Sequence, residues 1–260
     1  MYLPRIIPVL LLKGKGLVKT VKFKNPTYIG DPINAVRIFN ELEADELVFL
    51  DIIASKQGRT IDLQFVKDIG DEAFMPFAVG GGIKSLNTVE EVLRNGAEKV
   101  VLNSVAVKEP DLIYRAASVF GSQSIVVAID VKKNIFGDRK VYIEDGTQRC
   151  NASILERVKA AEGRGAGEII IQSIDRDGTM SGYDLELIRE VSETVSIPVI
   201  ALGGAGCKEH LKDAIEAGKA SAAAAGSMFV FHGPRKGVLV NYPAKDEIAQ
   251  LFGEERKSDG

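Results

Sequence analysis

Ile125-Val126-Val127-Ala128-Ile129-Asp130-Val131-Lys132 is an apolar stretch of strand length with a single carboxylate near its end. Its residues do not alternate between polar and apolar, so both faces of the strand are covered, as in a parallel sheet packed under helices. The same pattern stands earlier as Ile6-Ile7-Pro8-Val9-Leu10-Leu11-Leu12-Lys13, at an offset of 119 positions (11 to 130). Two more motifs keep nearly the same register. Ala44-Asp45-Glu46 answers Ala166-Gly167-Glu168 at an offset of 122 (46 to 168), and Val79-Gly80-Gly81-Gly82 answers Leu202-Gly203-Gly204-Ala205 at 123 (79 to 202). Parallel α/β segments resemble one another by composition alone, but that does not make three separate motifs hold register. Two equivalent (βα)4 halves imply an α/β fold of one kind, a single (βα)8 TIM barrel with internal twofold symmetry.

The rest of the chain fits that reading. Apolar runs lie at Ile6–Leu12, Leu47–Ile52, Pro76–Val79, Lys99–Leu102, Ile125–Val131, Ile169–Ile171, Pro198–Leu202 and Ala220–Ala225. Segments of helical period separate them at Pro32–Leu42, Ile61–Gly70, Asn87–Asn95, Pro110–Phe120, Ser153–Arg164, Asp184–Val195 and Glu209–Ala217. Asp31-Pro32 and Glu109-Pro110 place proline at helix starts, and Asn95-Gly96 and Ala217-Gly218 place glycine at helix ends. No domain boundary interrupts the pattern. Residues 1–252 are expected to form the barrel, and 253–260 a polar, fraying tail.

Composition narrows the function. The 260 residues are 45% hydrophobic with a net charge of −3, and the charges are spread along the chain. A nucleic-acid binder needs a concentrated basic surface, so none is expected as a partner. Cys150 and Cys207 have no metal-ligand spacing, and His210 and His232 are too few for a histidine-rich metal centre. Neither a metal nor a cofactor is expected. The apolar start, Met1 to Leu12, is short and broken by Arg5, so it reads as a buried strand and not as a signal peptide or membrane span. A soluble, cytoplasmic protein is the expectation.

Candidate site residues cluster at the C-terminal ends of the strands, the face on which such barrels bind and react. Gly81 and Gly82 follow the third strand and precede a helix, and Gly203 and Gly204 repeat the arrangement after the seventh. Glycine there lets backbone N–H groups approach an anion beside a helix N-terminus. One such turn is also ordinary strand-to-helix punctuation; two at symmetric positions point to two phosphate sites. Asn103 and Ser104, and Gly226 and Ser227, complete them from the next strand ends. A ligand with two phosphate groups follows. Asp130 ends the fifth strand, where a carboxylate serves general acid–base chemistry or, alternatively, bonds a loop backbone. Asp51 stands similarly, with a structural role equally open. Lys19, on the loop after the first strand, either clamps a phosphate or is simply solvated. Asp177 and Gly178 lie in the charged run after the sixth strand. At the opposite face, Arg5, Glu46, Lys99 and Glu168 stand near strand starts, either as separate surface charges or as a salt-bridge ring closing the barrel bottom.

Arg5-Ile6-Ile7-Pro8, Glu46-Leu47-Val48-Phe49-Leu50-Asp51, Val79-Gly80-Gly81-Gly82-Ile83, Val127-Ala128-Ile129-Asp130, Ser173-Ile174-Asp175-Arg176-Asp177-Gly178-Thr179 and Gly203-Gly204-Ala205-Gly206 together resemble the cyclase subunits of imidazole glycerol phosphate synthase. The likeness runs from Met1 to about Ala249, and the Ser-Ile-Asp-Arg-Asp-Gly-Thr run fits the cyclase better than the related isomerase barrel of histidine biosynthesis. It implies a heterodimer in which a glutaminase (glutamine amidotransferase) docks on the N-terminal face. Ammonia then passes up the barrel, and a phosphoribulosyl-formimino aminoimidazole carboxamide ribotide is converted to imidazole glycerol phosphate and an aminoimidazole carboxamide ribotide. It also implies that Arg5, Glu46, Lys99 and Glu168 form an ammonia gate, and that Asp130 and Lys19 act in the reaction. A second catalytic aspartate belongs on the first strand, where the family reads Pro-Cys-Leu-Asp-Val; this chain reads Pro8-Val9-Leu10-Leu11-Leu12. Leu11 cannot carry a proton, and a placed proton-transfer group is worth about 100- to 10,000-fold in rate. Leu202 also stands where the family usually has serine. The departure implies a diverged paralogue with weak or no ring-forming activity. Such members resemble an ammonia supply, paired with a glutaminase, for a third amidotransferase that makes an acetamidino sugar in surface-polysaccharide biosynthesis. A phosphate-ligand binding barrel without activity is the remaining alternative.

Overall fold

The computed structural model describes residues 3–253. In chain order, β1 (Arg5–Lys13) leads into a hairpin, β2 (Gly16–Val21) and β3 (Lys24–Gly30), and then α1 (Pro32–Glu41). β4 (Leu47–Asp51), α2 (Leu63–Glu72), β5 (Phe77–Gly80), α3 (Leu86–Arg94) and β6 (Lys99–Leu102) follow, with a short α4 (Ser104–Lys108) and α5 (Asp111–Phe120). The second half opens with β7 (Ile125–Lys133), which extends into a hairpin with β8 (Arg139–Ile143) and β9 (Gln148–Arg149), then α6 (Ile154–Gly163). β10 (Glu168–Ser173), α7 (Leu185–Ser192), β11 (Val199–Leu202), α8 (Lys208–Glu216) and β12 (Ala222–Ala225) complete the barrel. A small hairpin, β13 (Phe231–His232) and β14 (Gly237–Val238), and α9 (Lys245–Gly253) come last.

Strands β1, β4, β5, β6, β7, β10, β11 and β12 pair in parallel, and β12 pairs back onto β1, so the barrel has no edge. Following the register once round from Lys13 returns to β1 at Arg5, eight residues earlier, the shear of a (βα)8 barrel. Alternation along each strand then decides what faces the axis. Counting in twos from the bottom, Arg5 leads to Ile7, Val9 and Leu11, Glu46 to Val48 and Leu50, Lys99 to Val101 and Asn103, and Glu168 to Ile170 and Gln172. An axial cluster contains Ile7, Val9, Leu11, Val48, Ala78, Val101, Val126, Ala128, Ile170, Ile200, Leu202, Ala222 and Ala224. The opposite parity packs against the helices in a second, larger core that includes Phe39, Phe49, Leu112 and Ile169.

The helices begin on their own signals. Asp31, Asp62 and Ser85 accept backbone N–H bonds at the starts of α1, α2 and α3, and Ser153 with Glu156 forms a reciprocal capping box on α6. Three expectations need correction. Lys19 sits in β2, not on an irregular loop, because the segment after β1 folds back as a hairpin. α4 and α9 lie outside the expected helices, the first being little more than one turn. Of the expected tail, Gly253 closes α9 and 254–260 lie outside the described residues. No helix among the described residues is long and apolar enough to cross a membrane.

Candidate functional site

Because all eight strands run the same way, their starts define one face and their ends the other. At the starts, Arg5, Glu46, Lys99 and Glu168 meet in a closed ring. Arg5 bridges Glu46 at 2.5 Å and Glu168 at 2.7 Å; Lys99 reaches both oxygens of Glu46 at 2.9 and 3.1 Å and Glu168 at 3.0 Å. Glu46 is 4% exposed at its side chain and Lys99 15%, so these charges are largely withdrawn from water. Burial works against the charged Arg5 guanidinium, but Glu168 and Glu46 outweigh it and hold its pKa above the ordinary value. Above the ring the axis is apolar up to Leu11 and Leu50.

At the strand ends a cavity of about 490 Å³ opens. Leu11, Asp51, Gly81, Gly82, Asn103, Ser104, Asp130 and Gln172 line it. Asp130 is buried, 6% exposed, and faces Gln172 in the β7–β10 register. Asn103 Nδ2 donates to Asp130 Oδ2 at 3.1 Å and to the Ala128 carbonyl at 3.0 Å, which fixes the carboxyl group's orientation. Burial pushes the Asp130 pKa up to about 7; the Asn103 bond opposes this, and the charges of Asp145 and Asp177 add to it. A carboxyl poised there can give or take a proton near neutrality. Across the mouth, Leu11 supplies no partner for that exchange. Its backbone pairs with Val18 and Leu50, and the residue is buried, 8% exposed, in the axial cluster.

The glycine turns are constrained by the loops they touch. Gly81 and Gly82 have φ of 138° and 65°; a Cβ on Gly81 would meet Asp51 at 2.8 Å, and one on Gly82 the Arg59 carbonyl at 1.9 Å. In the other half, a Cβ on Gly203 would meet the Ser173 carbonyl at 2.7 Å, and one on Gly204 the Gly182 carbonyl at 2.1 Å. The pairs 81/51 and 203/173 share the sequence offset of 122, so the repeat extends from sequence into loop packing. Gly203, Gly204, Gly226 and Ser227 stand outside the 490 Å³ cavity. Lys19 joins that second group: its Nζ lies where a Cβ on Gly226 would stand, 1.9 Å away, and donates to the Val9 carbonyl at 2.8 Å. Burial lowers its pKa to about 8 against the pull of Asp177. A buried ammonium with one neutral acceptor is short of a counter-charge.

Asp51 and Asp177 have structural partners. Asp51 Oδ1 accepts from the Ile53 and Ala54 N–H groups, and Oδ2 from Arg59 at 2.7 Å, so the carboxylate shapes the loop after β4. Asp177 Oδ2 accepts from Thr20 Oγ1 at 2.8 Å and the Phe23 N–H at 3.2 Å, while its carbonyl takes the Lys22 N–H. Gly178 lets its loop pass the Thr20 carbonyl, which a Cβ would approach to 2.2 Å. These two residues staple the β2–β3 hairpin to the loop after β10. Gln172, Lys56, Lys108, Glu144 and Asp145 also line the cavity and were not singled out from sequence. Gln172 was within reach, since it lies two alternations above Glu168. Lys56, Glu144 and Asp145 sit on loops, and Lys108 closes the short α4; the partners of all four are distant in the chain. Among the described residues, no group of three or more His, Cys, Asp or Glu is placed to hold a metal ion.

Residues 5–234 match the family model described as "Histidine biosynthesis protein". A Pseudomonas aeruginosa protein provisionally named as an imidazole glycerol phosphate synthase subunit is 49% identical over 244 residues, 94% of this chain and 97% of its own length. A Leptospira borgpetersenii protein with the same provisional name is 48% identical over 250 residues, 96% of this chain and 98% of its own. A Hydrogenobaculum protein named imidazole glycerol phosphate synthase subunit is 46% identical over 227 residues, 87% of this chain and 90% of its own.

Proposed function

The chain belongs to the histidine biosynthesis protein family, and from that premise we propose that it is the barrel half of a glutaminase pair, conducting ammonia to a mouth that binds a bisphosphorylated ligand but closes the imidazole ring weakly or not at all. One observation carries the last clause. Asp130 is the sole carboxylate on the axial strand positions above the charged ring among the described residues, and Leu11 and Leu50 fill the first two strands' places across the mouth from it. A mechanism with one proton donor and one acceptor then lacks one of the two.

The rest of the reading follows from the axis. The glutaminase would sit on the face bearing the Arg5–Glu46–Lys99–Glu168 ring and release ammonia beneath it. Passage requires the ring to part, and Lys99 is its simplest hinge, a flexible chain held by hydrogen bonds at its tip. Beyond it, an apolar bore accepts neutral ammonia and disfavours ammonium, whose desolvation it cannot repay. At the mouth, Gly81, Gly82, Asn103 and Ser104 would hold one phosphate, and Gly203, Gly204, Gly226 and Ser227, with Lys19, the other. A dianionic phosphate supplies the counter-charge that Lys19 lacks. Leu11 in this setting leaves ammonia unconsumed, for delivery to a third protein such as an amidotransferase of acetamidino-sugar synthesis. The second reading, a working cyclase-lyase of histidine biosynthesis in the cytoplasm, is favoured by Asp130, whose pKa near neutrality suits acid–base work.

The two separate on one assay. The formimino ribotide and ammonium salt, supplied without glutaminase, should give ring formation at most about a hundredth as fast as a two-aspartate enzyme. Leu11→Asp should raise it. Turnover of the unaltered protein at an ordinary enzymatic rate would defeat the conducting reading, and an inactive protein that gains nothing from Leu11→Asp would show that this residue is not the cause.

A further inference from the structure

The turn joining β8 to β9, Glu144-Asp145-Gly146-Thr147, crosses the rim of the mouth cavity. It is tied down from both sides. The Glu144 carboxylate pairs with Lys108, and Asp145 Oδ2 lies 3.0 Å from Lys56 Nζ, an ion pair without good hydrogen-bond geometry. The Glu144 backbone N–H donates to Ser104 Oγ at 3.1 Å. Gly146 sits against Ile174 and Phe23, where a Cβ would come within 3.0 and 3.2 Å. The turn is also conformationally expensive: Glu144 and Asp145 have φ of 52° and 53°, and a left-handed backbone costs a residue other than glycine about 1–2 kcal/mol.

What the turn holds is what an anion would want. Ser104, Lys56 and Lys108 line the same cavity as Gly81, Gly82 and Asn103. Both lysines are half exposed at the side chain, so their pairs with the carboxylates are weak and exchangeable. A phosphate carries more charge than a carboxylate and offers three acceptor oxygens, so it is the stronger partner for two ammonium groups and a hydroxyl. Burial raises the Asp145 pKa despite Lys56, so that carboxylate is itself poorly solvated where it lies.

We propose that this acidic turn is a built-in competitor for the ligand: Glu144 and Asp145 occupy Lys108 and Lys56, and a phosphate at the first glycine turn takes both lysines and Ser104 while the turn lifts away. Lys56 and Lys108 thereby become phosphate-binding residues, masked in the empty protein. The proposal rests on the reading that the mouth takes a phosphorylated ligand, and the test keeps the two apart.

Ribulose 1,5-bisphosphate and inorganic phosphate are titrated calorimetrically into the full chain, into Glu144→Gln/Asp145→Asn and into Lys56→Gln/Lys108→Gln. Releasing two ion pairs whose lysines are half exposed should tighten binding to the amide variant about three- to tenfold, and the lysine variant should bind more weakly than wild type. Saturating bisphosphate should also speed amide exchange at residues 144–147 of the wild type. If wild type binds and the amide variant binds no more tightly, or if the turn becomes protected with ligand, the competitor is refuted and the phosphate reading stands. Failure of every form to bind would refute both.

Discussion

Replacing Asp130 by asparagine removes one ionisation and keeps the local shape, since an amide oxygen can still accept from Asn103 Nδ2. Burial lifts this carboxyl from 3.8 to about 7, whereas in the unfolded chain it titrates near 3.9. The sign follows from proton counting. Between about pH 4 and 7 the folded protein binds more protons at this site than the unfolded chain, so stability falls as pH rises through that window and stays low above it. At about 1.4 kcal/mol per pH unit, the ionised carboxylate costs the fold on the order of 4 kcal/mol at pH 8 and about 1.5 kcal/mol at pH 5. Asparagine carries no such penalty. The Asp130→Asn protein should therefore gain on wild type by about 2–3 kcal/mol between pH 5 and pH 8, other carboxylates titrating alike in both. Urea unfolding at half-unit pH steps measures the difference directly. A gap between the two proteins that stays flat over this range would mean that Asp130 is solvated and ordinary, and the case for a neutral-range acid–base group would go with it.

Two further perturbations test the ring and the glycine turns. Lys99→Met leaves Glu46 and Glu168 sharing only Arg5, and should cost about 2–4 kcal/mol in urea unfolding, with at least half recovered by adding Glu168→Gln; no loss would mean that the ring contributes nothing to stability. Gly82→Ala places a methyl against the Arg59 carbonyl at φ 65°, whereas Gly14→Ala has nearly the same φ, 63°, with nothing nearby. The first should cost at least about 1 kcal/mol more than the second, and equal losses would show that the loops part easily.

How far the sequence could be read depended on the range of the signal. β7 and β1 announced themselves through continuous apolar runs, and the repeat between them already called for closure; the structure adds the register that closes it. Arg5, Glu46, Lys99 and Glu168 were legible as bottom-face charges because each stands at or just before a strand start, though only the folded chain shows which anion meets which cation. The two mouth hairpins were not foreseen. A tight hairpin is usually signalled by Asn-Gly or Asp-Gly, but β2 and β3 turn on Lys22 and Phe23 at φ of 54° and 61°, residue types that carry no such signal; the β8–β9 turn, by contrast, does carry it in Asp145-Gly146. The burial of Lys19, though not its candidacy, was hidden for the same reason: without the hairpin it reads as a loop lysine, and with it the ammonium is buried beside Gly226. Asp51 and Asp177 matched the pattern of mouth carboxylates, but their partners, Arg59 and the β2–β3 turn, come from packing that spacing does not encode.

One wall of the barrel is built entirely from alanine. Residues 222–225 are all Ala, and 222 and 224 face the axis while 223 and 225 face the helices. The axis is therefore lined on that side by single methyl groups: Ala222 pairs with Arg5 at the level of the ring, and Ala224 pairs with Ile7 one layer above it. Width and chemistry are thus written in separate places. On the ammonia route proposed above, a protein engineer could narrow the passage at 224 with valine, as one changes the jet in a burner while leaving valve and flame alone.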